Sequence, residues 1–135
     1  MIETAFILIP LLVMTVGLLD FALGIFRYHI LSEAARQLTR NAIVHGEFAD
    51  RLGKWGPATY TDKADSSNTI ATTVKPYLVG IDPAAVSISV AWPESTNQVE
   101  KAVRATLTTD FHPLLTSWFA SSITLRAQSE MKIAH

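Results

Sequence analysis

From Thr4 to Phe26 the chain reads TAFILIPLLVMTVGLLDFALGIF, and its only ionisable side chain is that of Asp20. About 23 residues at roughly 1.5 Å each extend about 34 Å, enough to cross a hydrocarbon core of about 30 Å. Apolar residues occupy every side without a polar stripe, which argues against a helix lying flat on a membrane surface. A cleaved secretory signal carries basic residues ahead of a shorter apolar stretch and small residues at its cleavage site. None is evident here, since the first basic residue, Arg27, follows the run. A buried core helix is the other competing reading, and length favours a membrane-spanning helix.

Four residues within the run carry more than hydrophobicity. Pro10 lacks a backbone donor, which a membrane helix tolerates when neighbours satisfy the freed carbonyl. Gly17 and Gly24 are a heptad apart on nearly one face and allow another helix to approach closely. Asp20 is costly: a carboxylate at the bilayer centre loses about 2.5–3.5 kcal/mol, less near an end. Two placements are open to it, at headgroup depth or in an inter-helix polar contact, for example with Arg27 of a neighbouring subunit. Within one helix those two residues are two turns apart, so a direct pair is strained.

Beyond Phe26 the pattern turns amphipathic. Leu31, Ala34, Ala35, Leu38 and Ala42 recur at helical spacing among Glu33, Arg36, Gln37, Arg40 and Asn41. No Pro or Gly interrupts until Gly46, which reads as the helix stop, and Arg40 and His45 suit the negative pole of the dipole. The reading is one helix over 1–45, about 65 Å long at 1.5 Å per residue. It is membrane-spanning over about 4–26 and amphipathic over about 27–45, with a globular head over 46–135.

In the head, 46–61 combines turn formers with Phe48, Trp55 and Tyr60 and reads as a loop whose aromatics pin it to the core. A short second helix is expected over 66–79, capped by Ser66 or Ser67 and stopped at Gly80, with Pro76 disturbing its last turn. Three segments then alternate with period two: Val86 to Trp92, Val103 to Phe111, and Ile123 to Ile133. They predict an antiparallel sheet with one buried face, covered by the Leu/Ala stripe of the long helix. Residues 112–122 link two strands with a helical turn, with Trp118 and Phe119 as core candidates. The fold class is therefore α+β: a long N-terminal helix packed on a small antiparallel sheet.

Composition narrows the chemistry. A chain of 135 residues fits one domain. The absence of cysteine removes disulfides, thiolate zinc sites and Cys nucleophiles. A formal net charge of −1 does not suit a nucleic-acid partner. His29, His45, His112 and His135 are scattered without the paired spacing of a helical metal site. Phosphate loops, a G-x-S-x-G elbow and H-E-x-x-H are missing. Asp110 and His112 among many serines do not meet the geometric requirements of a triad. The expectation is a protein that is not an enzyme and uses no cofactor or metal.

The order of features is informative. Glu3 opens the apolar run, Pro10 interrupts it, Asp20-Phe21 falls near its end, and Ala34-Ala35-Arg36 continues the helix. GIDPAAVSISV, VRATLTTDFHPLL and SITLRAQSEMKI follow in the head. This order resembles the TadE/TadF-like pseudopilins of tight-adherence (Tad, type IVc) pili, over nearly the whole chain. The resemblance implies a minor pilin or pseudopilin, processed by a prepilin peptidase and held in the bacterial inner membrane by a single pass with its head in the periplasm. The subunit would then move into a type IV-like pilus used in adhesion and secretion. Other pilin subunits, the inner-membrane assembly machinery and the lipid bilayer are the implied partners. Glu3 would pair with the terminal amine of a neighbouring subunit, an attraction strengthened by low dielectric. The candidate subunit-assembly residues are Glu3, Gly17, Asp20, Gly24 and Arg27. Counting Arg27, Arg36 and Arg40 alone places the head in the cytoplasm; the resemblance implies the opposite side. A monomeric, membrane-anchored periplasmic module, binding a partner through its sheet face or the 46–65 loop, is the alternative.

Overall fold

Helix formers run unbroken by Gly or Pro from Arg27 to Val44, so nothing local separates the amphipathic segment from the apolar one before it. In the computed structural model, which describes residues 2–114 and 122–134, the two form one helix, α1, Ile2–Val44. Its 43 residues extend roughly 64 Å at 1.5 Å per residue. Leu31, Ala34, Ala35, Leu38 and Ala42 are all buried, and Thr39 joins them with its hydroxyl donating to the Ala35 carbonyl at 2.8 Å. The helix does not end on a left-handed Gly46, which is absent from the positive-φ glycines. Instead the His45 N–H closes a tighter turn onto the Ala42 carbonyl at 3.2 Å, and its Nδ1 donates to the Asn41 carbonyl at 2.6 Å. The imidazole stacks on the Trp55 indole, with centroids 4.2 Å apart.

The sheet has one more strand than the alternating pattern predicts. Tyr60–Lys63 forms an edge strand, β1, where a loop is expected over 46–61. Its Asp62 and Lys63 hide the alternation, and backbone pairing with the next strand holds it, in the register Tyr60↔Val90 to Lys63↔Ser87. The other strands fall where the period places them: β2 Val86–Ala91, β3 Ala102–Phe111 and β4 Ile123–Lys132. The four lie in sequence order, each antiparallel to its neighbours.

The inner face presents Val86, Ile88 and Val90, then Val103, Ala105, Leu107 and Phe111, all buried. All of these except Phe111 pack against the Leu/Ala stripe of α1 in one cluster that also takes in Trp55 and Trp92. Each buried Leu, Ile or Val contributes about 1.5–3 kcal/mol relative to leaving it in water. Ile123, expected on the buried face, is 46% exposed, because it lies at the open end of the edge strand β4. The outer face is polar, with Arg104 opposite Glu130 in the register and an ion pair between them at 2.7 Å.

The second helix is shorter than expected. α2 spans Thr69–Val74 and is capped by Asn68, whose side chain accepts from the Ile70 amide at 3.3 Å, rather than by Ser66 or Ser67. Lys75–Tyr77 then tightens into a 3₁₀ turn containing Pro76, whose missing N–H and ring obstruct α-helix continuation. In the connection before β1, Trp55 is buried as expected, but Phe48 is exposed. Trp118 and Phe119 lie outside the described residues.

Gly56 sits against the core with φ +80°, where a Cβ would run into the Trp92 ring. Gly56→Ala is expected to destabilise the head by about 1–3 kcal/mol through overpacking. Urea unfolding followed by tryptophan fluorescence measures this, and an unchanged midpoint contradicts it.

The Lys101 ammonium donates to Glu94 Oε2 at 2.6 Å. That bond holds the Glu94 carboxyl below its ordinary pKa and raises that of Lys101. Any stabilisation from Glu94 is therefore present above the ordinary carboxylate range and lost as pH falls through its lowered value. The contribution of Lys101 is present below the ordinary lysine range and lost as pH rises through its raised value. An NMR titration of Lys101→Met should return Glu94 toward its ordinary value, and an unmoved Glu94 contradicts the assignment.

Candidate functional site

The face of α1 that carries Leu38 and Leu31 continues toward the N-terminus through Gly24 and Gly17, each a heptad apart. Asp20 and Arg27 lie beside that line. The stripe that packs the head thus runs down into the apolar segment, and the closing end of the β3–β4 pair follows it. Gly24 faces Phe111, whose Cε1 is 3.5 Å from where a Cβ would stand. The chain's own head thus comes into ordinary contact distance of this glycine. The Arg27 guanidinium lies over the same ring, 5.2 Å from its centroid. Such a contact is worth about 0.5–2 kcal/mol, depending on desolvation.

Asp20 is 6% exposed, and its Oδ1 accepts from the Leu114 backbone N–H at 3.0 Å. Its carboxylate is therefore engaged within the chain, one turn from Gly24 and against the strand connection. An open groove of about 470 Å³ surrounds it, with Gly17, Phe21 and Ile25 on the helix side and Pro113, Ile123 and Leu125 on the head side. Replacing Asp20 with Ala leaves the Leu114 amide without that acceptor, at an expected cost of about 1–3 kcal/mol. Hydrogen exchange at Leu114 should accelerate; an unchanged rate contradicts a structural role for the bond.

Glu3 stands apart from this group. It is exposed in the first turn of α1, about 25 Å along the axis from Asp20 at 1.5 Å per residue. Four of the five candidate residues, Gly17, Asp20, Gly24 and Arg27, thus share one side of the helix against the head, and the fifth lies at its far end. Between them the surface is apolar in all directions. Phe6 is 81% exposed, and Ile7, Leu8, Ile9, Leu11, Leu12, Met14 and Leu18 are each exposed as well. A contiguous apolar surface of this extent marks a membrane or a protein contact. Among the described residues, no group of three His, Cys, Asp or Glu side chains could hold a metal ion.

The head-side members of the groove, Phe111, Pro113, Ile123 and Leu125, could not be assigned to it from sequence. Alternation says which face of a strand is covered, but not which stretch of a long helix lies opposite its end.

The fold and this surface define a protein with one helix long and apolar enough to cross a membrane, carrying an α+β head on its second half. Residues 1–40 match the family model of TadE-like proteins. The match covers the segment that carries the apolar run and ends before the head. No curated protein and no solved structure matches it.

Proposed function

We propose that the protein is an assembly subunit, a minor pilin or pseudopilin, of a Tad pilus, and that the first half of α1 is the part that assembles. The observation that carries this reading is the coincidence of the TadE-like match with an apolar helical surface that the chain's own head leaves uncovered. In the membrane, lipid covers that surface, and the head faces the periplasm. In the filament, the helices of neighbouring subunits replace the lipid, and burial from water at about 25 cal/mol per Å² holds the polymer without covalent bonds. Ile7, Leu11, Val13, Leu18 and Phe21 supply much of this surface, all of them exposed.

Glu3 directs the packing. Its carboxylate pairs with the terminal amine of an adjacent subunit, and neither charge is stable alone in that environment. A prepilin peptidase and the inner-membrane assembly machinery are the other partners of this cycle, and adhesion and secretion are its outputs. Glu3→Ala should leave membrane insertion intact and abolish incorporation into pili, read by flotation of membranes and by immunoblotting of sheared surface material. Normal incorporation of the variant contradicts the role of Glu3.

A second reading draws on Phe48, 70% exposed beside the exposed Leu52 in the loop before β1. There the head alone binds a partner and the helix is only a tether. Exchanging 4–26 for an unrelated apolar span separates the two: pilus incorporation is lost in the assembly reading and kept in the tether reading.

A further inference from the structure

The apolar run does not end where the head begins. Asp20, which holds Leu114, lies two turns before Arg27, and Gly17, which lines the same groove, nearly three. At 1.5 Å per residue the strand end follows α1 for roughly 10–15 Å below Arg27, the first charged side chain after the run. If the run spans the bilayer, this end of the head occupies the same depth. We propose that the closing end of the β3–β4 pair, Phe111–Leu114 with Ile123, inserts into the near leaflet beside α1, and that lipid acyl chains fill the groove between them.

Three observations support a lipid occupant. The groove is continuous with the exposed apolar surface of α1 through Phe21 and Ile25. The polarity of the pair also changes along its length. Above, Asp110 and Thr124 face each other and are joined by a hydrogen bond of 2.8 Å. Below them Leu114 is 72% exposed, beside Pro113 and the exposed Ile123. Among the described residues, His112 and Ser122 are the polar ones at this end, and an imidazole and a hydroxyl suit headgroup depth. Finally, the one carboxylate in the groove already accepts a backbone hydrogen bond, which lowers the cost of placing it near hydrocarbon.

The inference rests on α1 being a membrane span but not on any role in a pilus. Because the chain has no cysteine, single reporters can be placed without background. Fluorophores on Leu114→Cys and Ile123→Cys, with Leu12→Cys as the span reference and Lys63→Cys as the head reference, are read in the full-length protein. The vesicles are phosphatidylethanolamine and phosphatidylglycerol bearing chain-brominated lipid. The labels at 114 and 123 should lose fluorescence as the label at 12 does, while the label at 63 is unaffected and responds to aqueous iodide. If 114 and 123 behave like 63 while 12 is quenched by lipid, the insertion is overturned and the span stands. Protection of 114 and 123 from both quenchers assigns the groove to another polypeptide and equally overturns it. A label at 12 quenched by iodide removes the span and the insertion together.

Discussion

A chain beginning at Arg27 is expected to leave the membrane fraction completely while its head still folds. The large apolar residues removed are mostly ones that the head leaves exposed, and the stripe that closes the core, Leu31, Ala34, Ala35, Leu38 and Ala42, is retained. The fourteen Leu, Ile, Phe and Val residues between Thr4 and Phe26 contribute roughly 4–8 kcal/mol to membrane insertion on a biological scale. Their loss leaves the polar outer sheet face, the exposed loops and only the short apolar end of the β3–β4 pair, too small a surface to hold the protein in lipid by itself. The truncation costs the head its Asp20–Leu114 hydrogen bond and the cover that Gly24 gives Phe111. Ultracentrifugation and circular dichroism check both halves of the expectation. A truncated chain that still sediments with membranes, or that is unfolded in solution, contradicts this division of labour along α1.

The second large effect lies further along the same helix. Leu38 is fully buried in the cluster that joins α1 to the sheet. Leu38→Ala is expected to destabilise the head by about 2–5 kcal/mol, from lost transfer energy and the cavity left behind. Leu18→Ala, a chemically identical change at an exposed site five turns earlier, should alter head stability by less than about 0.5 kcal/mol. Denaturant unfolding of the two variants in the same detergent makes the comparison direct. Equal losses would mean that the two halves of α1 do not differ in what they hold.

Most of this architecture is legible in the sequence, for a physical reason. A Leu/Ala stripe at period 3.6 and Val/Ile/Leu positions at period two are statements about one-sided burial, and α1, β2 and β3 bury the sides so marked. What escaped the reading was structure held by the backbone or by distant partners. β1 carries Asp62 and Lys63 and is kept by its pairing with β2. α1 ends just before His45, whose N–H bonds the Ala42 carbonyl and whose ring stacks on Trp55, ten residues on, without a left-handed Gly46. α2 is capped by Asn68, whose side chain accepts from the Ile70 amide, rather than by a serine, and at its other end the chain passes into the 3₁₀ turn that contains Pro76.

The candidate site divides in the same way. Gly17, Asp20 and Gly24 were legible as departures from an oily run, since each is out of place in it. Their neighbours were not. Gly24 reads as room for another helix, and Phe111 of the chain's own head also comes within contact distance of it. Asp20 reads as lying at headgroup depth or in an inter-helix contact, and the Leu114 amide supplies a bond from within the chain. Arg27 likewise lies over Phe111.

The most direct test of the assembly role is crosslinking from the exposed side of α1. A single cysteine at Ile9 or Leu18, in a chain that otherwise has none, is joined by a short bifunctional reagent in sheared surface material. Covalent species containing this protein and other pilus subunits are the expected result. A protein that stays monomeric in the membrane while pili form normally would contradict it.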